Sequence, residues 1–133
     1  MQHLVIRFIL SVCLFLPLNA LADNTGERLL DEADSLYALQ QYDAALQAAQ
    51  AALSHCKHGE LESDCLNLLA IIHVRKGEFD KAVTYAKQCY ALDEKSGDPD
   101  VMSSSLNTLA GIYMSMRQPQ EAEKYILKAI GYA

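Results

Sequence analysis

Basic residues and glycines are scarce in this chain, sustained polar/apolar alternation is lacking, and each shortage removes a class of protein. Eleven Lys and Arg stand against seventeen Asp and Glu in 133 residues, a formal charge of -6. An acidic surface repels phosphates, so neither nucleic acid nor anionic lipid is expected as a partner. The six glycines are dispersed and build no phosphate-cradling loop. No stretch alternates long enough to demand a strand. No nucleophile has an identifiable base beside it. The length suffices for one ordinary domain and a targeting segment, with no room for a second, enzymatic one.

Acids are also missing from the first 22 residues. Met1 to Arg7 carries the early positive charge, Phe8 to Leu18 is almost wholly apolar, and Ala20-Leu21-Ala22 gives a small-x-small end. That pattern predicts a signal peptide over 1–22 and an exported mature chain over 23–133, in a bacterium a periplasmic one. Two other readings exist: an uncleaved N-terminal anchor, or a lipoprotein site at Cys13, where Val12 stands in place of the expected small residue. The charge that remains is uneven. Asp23 to Asp64 holds nine acids against Arg28 and Lys57, whereas Cys65 to Ala133 balances eight against eight. An acidic first unit favours a basic peptide or protein surface, the plainer alternative being a solvated face.

What is present is a repeat. Ala33, Ala45 and Ala52 are spaced by 12 and 7, as are Ala70, Ala82 and Cys89, and again Ala110, Ala122 and Ala129. Leu29, Leu66 and Leu106 stand four residues before each first small residue, and Tyr42 and Phe79 stand three before the second, where unit three has Pro119. Within each unit apolar residues recur at steps of three and four, which is helical spacing, and small residues recur where two helix axes must approach closely. Lys76-Gly77-Glu78 and Ser96-Gly97-Asp98-Pro99 read as turns, with Asp98 as an N-cap before proline and Gln118-Pro119 as a second case. The expected helices run Thr25 to Leu39, Tyr42 to Cys56, Leu61 to Lys76, Phe79 to Glu94, Pro99 to Met116 and Pro119 to Gly131. The predicted fold is all-α, with repeats at about 26–58, 61–97 and 99–133.

Leu69-Ala70-x-x-His73-x-x-x-Gly77-x-Phe79-x-x-Ala82, and Leu109-Ala110-Gly111-Ile112-Tyr113 followed by Glu121-Ala122, resemble the tetratricopeptide repeat. The longer spacing is similar to the extended variety found in kinesin light chains and bacterial sensor proteins. Glu32 departs from the pattern, where leucine is usual. The resemblance implies a right-handed solenoid of three helix-turn-helix hairpins and a protein or peptide partner held on the concave face, with neither a cofactor nor a small-molecule substrate. It implies a groove of Asp34, Tyr37, Ala38, Asn67, Ile71, Val74, Arg75, Asn107, Gly111, Met114 and Ser115. Asn67 and Asn107 would hold a peptide backbone, Tyr37 and Met114 would give apolar contact, and Arg75 would anchor a carboxylate. The two-lysine, two-asparagine clamp of some cochaperones is absent, so chaperone-tail binding is not carried over.

Other residues admit several readings. Cys56 and Cys65 could meet at the helix crossing as a disulfide, which would staple units one and two, or remain as two thiols. His55-Cys56-Lys57-His58 with Asp64-Cys65 has metal-binding residue types in a spacing that matches no standard site, leaving a metal-dependent enzyme as the remotest function. Cys89 and His73 read as packed core, and Glu60/Glu62 and Asp93/Glu94 as helix-end solvation. The chain stops as hairpin three closes, which motivates a second function, the N-terminal sensor part of a larger signalling protein. Leu127, Ile130 and Tyr132 would then form a surface for a C-terminal neighbour or for self-association.

Overall fold

The computed structural model describes residues 24–56 and 59–132. The segment read as a signal peptide, with Cys13, and the turn residues Lys57 and His58 lie outside them. Six helices follow one another: α1 Thr25–Ala38, α2 Tyr42–His55, α3 Glu60–Arg75, α4 Phe79–Ser96, α5 Pro99–Ser115 and α6 Pro119–Ile130. Each begins and ends within two residues of its sequence-based bounds. No strand occurs among the described residues, and no described helix is long and apolar enough to cross a membrane.

The helices pair as α1 with α2, α3 with α4 and α5 with α6, and the three hairpins stack. The small-residue ruler explains the pairing. All nine positions, from Ala33 to Ala129, are 4% exposed or less, since each sits where two backbones cross and leaves no room for a larger side chain. Larger residues fill the gaps. Leu68, Leu69 and Ile72 of α3 pack on Ala45, Ala48 and Ala49 of α2, and Leu109 and Ile112 of α5 join Ala82 and Ala86 of α4. Tyr85 touches both clusters. The first helices also meet, α1 with α3 and α3 with α5, while the second helices do not pack closely on one another. The stack therefore curves with α1, α3 and α5 inside.

Each hairpin closes with the same turn. Gln40, Gly77 and Arg117 take left-handed φ values of 59°, 74° and 57°. Their N-H groups bond to the carbonyls of Tyr37, Val74 and Met114, and the next N-H groups reach Leu36, His73 and Tyr113. These bonds satisfy carbonyls that a helix end leaves orphaned. Glycine adopts this conformation without strain, but Gln40 and Arg117 carry a Cβ into it. Asp98 caps α5 as expected, its carboxylate accepting from Asp100 N at 2.9 Å with Pro99 following. Gln118 does not cap α6: its longer side chain makes no bond to the helix end, which relies on Pro119 alone.

Candidate functional site

The inner face is built by side chains that α3 and α5 turn away from the crossings. Ile71, Val74 and Arg75 of α3 face Thr108, Gly111 and Ser115 of α5 across a groove of about 290 Å³. Its floor is apolar and its rim polar. Ile71 and Val74 are half-buried and Arg75 is exposed. A Cβ built on Gly111 would meet nothing within 4 Å, so this glycine leaves a stretch of helix backbone bare at the groove. A mid-helix glycine costs about 1 kcal/mol against alanine, and no packing requirement explains it here.

Arg75 is oriented from hairpin one. Its Nε donates to Tyr37 Oη at 2.9 Å, and the guanidinium lies 6.0 Å from the Tyr37 ring centre. Tyr37 therefore positions the cation as well as offering an apolar face. The expected groove residues divide at this point. Ile71, Val74, Arg75, Gly111 and Ser115 share the groove, with Tyr37 joined to it through Arg75. Asn67 lines a different, smaller hollow of about 60 Å³, and its Oδ1 accepts from Thr108 Oγ1 at 3.0 Å, which ties α3 to α5. Asn107, Met114, Ala38 and Asp34 are exposed. Partial burial, and then the neighbouring Asp31 charge, push the Asp34 carboxyl above its usual value.

A larger hollow, about 420 Å³, opens where the start of α3 meets the end of α4 and the start of α5, between Ser63, Asp64, Asp93, Asp98 and Val101. Beneath it Ser63 Oγ donates to Asp93 Oδ1 at 2.5 Å and lies 3.2 Å from Cys89 Sγ. Asp93 was expected as helix-end solvation. It is instead 6% exposed, because α4 continues to Ser96 and carries that carboxylate one turn beyond Cys89 on the buried side. The four-residue spacing of Cys89 and Asp93 is the sequence signal for this lock. Burial pushes the Cys89 thiol up to about 11, and at 3% exposure it is shielded from reagents. Among the described residues no three His, Cys, Asp or Glu side chains come together to hold a metal.

Cys56 Sγ and Cys65 Sγ lie 3.5 Å apart as thiols. His73 is packed in the core at 3% exposure, stacked on Tyr85 with ring centres 5.4 Å apart. Its Nδ1 lies 3.5 Å from Glu78 Oε1 and has no hydrogen-bond partner. Burial lowers its pKa, and the Glu78 charge only partly opposes this. At the outer edge of α6, Leu127 and Ile130 are each 62% exposed, while Tyr132 is drawn in, its hydroxyl 3.4 Å from that of Tyr90.

A tetratricopeptide-repeat family model matches residues 27–95, more than half of the chain, and a second matches 103–133. No curated protein matches the chain.

Proposed function

Since the chain belongs to the tetratricopeptide repeat family, a family of protein-binding scaffolds, we propose that it holds an extended peptide segment of a partner in the groove between α3 and α5. The observation that carries this reading is the bare backbone at Gly111 opposite Arg75. An aliphatic side chain of the peptide would sit on Ile71 and Val74, its backbone would pass over Gly111, and a carboxylate would meet the terminal nitrogens of Arg75. Those nitrogens carry no partner among the described residues, and Tyr37 fixes the plane in which they present two donors. Basic residues further along the peptide would face Asp34 of α1, which holds the place that Ile71 holds on α3.

Export belongs to the same proposal. A chain whose first 22 residues are removed would meet its partner outside the cytoplasm, which the intact mass of the exported protein would reveal.

Gly111→Ala gives a test with opposite signs. It is expected to raise stability by about 0.5 to 1 kcal/mol, through helix propensity, while weakening peptide binding. Peptides selected from an array on the full chain should pair an aliphatic residue with a carboxylate, and Arg75→Ala should weaken them about tenfold. Selected peptides indifferent to both substitutions would place the partner on another surface.

A further inference from the structure

Two thiols approach each other where hairpin one meets hairpin two. Cys56 ends α2, and its Sγ lies 3.0 Å from Ala52 O and 3.5 Å from the Sγ of Cys65 in the second turn of α3. Cys65 is fully buried and Cys56 half-buried, so a reagent can reach the pair only through Cys56. The surroundings are closely fitted. A Cβ on Gly26, at the start of α1, would lie 3.4 Å from Cys56 Sγ and 3.3 Å from Leu61 Cδ2. Three helix ends thus converge on these two sulfurs. Cys89, the third described cysteine, is engaged by Ser63 and Asp93 inside hairpin two, away from this pair.

We propose that Cys56 and Cys65 are a modification site, an entry thiol and a resolving thiol that a disulfide donor converts into a clasp between hairpins one and two. The Cys56 thiolate attacks the donor's disulfide, forming a mixed disulfide and releasing one donor thiol. Cys65 then loses its proton to solvent or buffer and attacks the Cys56 sulfur, releasing the second donor thiol. Two cysteine thiols are oxidised and one donor disulfide is reduced to two thiols, so atoms and electrons balance. Sulfurs at 3.5 Å need to close by about 1.5 Å to reach bonding distance, a shift that side-chain rotation and slight helix adjustment supply. Cys65 is fully buried, and that burial pushes its thiol up to about 12, so the donor meets Cys56 first.

The clasp would bear on the groove, because it ties the end of α2 to α3 and so holds hairpin one, which carries Tyr37, against the helix that carries Arg75. It does not depend on the peptide reading, since its readouts are chemical.

The test is to expose the folded full chain to oxidised glutathione and follow intact mass and differential alkylation over time. The expected course is a single glutathione adduct at Cys56, then loss of the adduct and of two hydrogens as Cys56 and Cys65 become protected together, with Cys89 unmodified. Cys65→Ala should halt at the adduct, and Cys56→Ala should leave Cys65 unmodified. Hydrogen exchange at the start of α3 should slow at least about tenfold once the bridge forms. Persistence of the adduct in the native chain would overturn the proposal, as would bridging that appears only in denaturant or that involves Cys89.

Discussion

The two ends of the stack answer the same geometric problem in opposite ways. Inside it, Leu68, Leu69 and Ile72 of α3 pack on the preceding hairpin. The matching places on α1 hold Asp31, Glu32 and Ser35, all exposed. At the other end, Ala49 and Ala86 are covered by the helix that follows, at 0% and 1% exposure, whereas α6 holds Ile126 there at 41%, with Leu127 and Ile130 beside it. One end is written for water and the other is not. A shared register therefore fixes where helices cross but leaves each end free to be sealed or to remain adhesive.

The comparison breaks most sharply at one pair of equivalent residues. Leu69→Glu would bury a carboxylate in a dry crossing and is expected to cost more than about 4 kcal/mol, enough to unfold the stack. Glu32→Leu, at the same place on α1, should change stability by less than about 0.5 kcal/mol in urea unfolding. Equal effects would mean that α1 is covered by something else.

A polar tie between hairpins and one inside a hairpin sharpen it next. The junction of hairpins one and two carries the Lys76–Asp43 ion pair on its surface, whereas hairpin two carries the Ser63–Asp93 bond between α3 and α4 in its interior. Ser63→Ala should cost about 2 to 3 kcal/mol by leaving a buried carboxylate oxygen without its donor. Lys76→Ala should cost less than about 1 kcal/mol, because Asp43 is well hydrated.

A smaller effect separates the middle hairpin from the last. His73 on Tyr85 and Tyr113 on Tyr125 are the same stacked pair, with ring centres 5.4 and 5.3 Å apart. Only the first contains an imidazole, which gains its proton in mildly acid solution. Burial holds the folded His73 pKa below its unfolded value, so the unfolded state binds the proton more tightly. The contribution from this site is intact above the unfolded pKa and is lost as pH falls from there toward the folded pKa. His73→Phe should flatten that acid limb of the stability profile and add about 1 kcal/mol at its foot, since the unpaired Nδ1 also disappears.

The smallest expected effect lies at the open end. Leu127→Lys with Ile130→Lys should leave the unfolding midpoint nearly unchanged, because both side chains are 62% exposed, yet reduce any concentration-dependent scattering of the full chain. A large loss of stability would show that α6 is already covered.

Most of the fold was legible because it rests on spacing. The nine small residues and the turn at Gly77 are one-dimensional signals, and their burial and left-handed backbone followed directly. The polar ties were less legible. Asn67 reaching Thr108, and Ser63 reaching Asp93, depend on how far each helix is rotated about its axis and on which rotamer fits, which a period of 3.6 does not specify. Gln118 shows the same limit: an amide two carbons from the backbone can cap poorly where Asp98, one carbon shorter, caps well. The groove lies between these cases, with its position set by the repeat and its pairing of Tyr37 with Arg75 visible only in three dimensions.

Tyr85 belongs to both core clusters, so neither outer hairpin can shed its packing without disturbing a ring that the other also uses. Fraying that starts at either end should stall at that ring. The slowest-exchanging amides of the chain are then expected on α3 and α4, and a pulling force applied through the two ends should meet its main resistance in the middle hairpin, with the outer two yielding first.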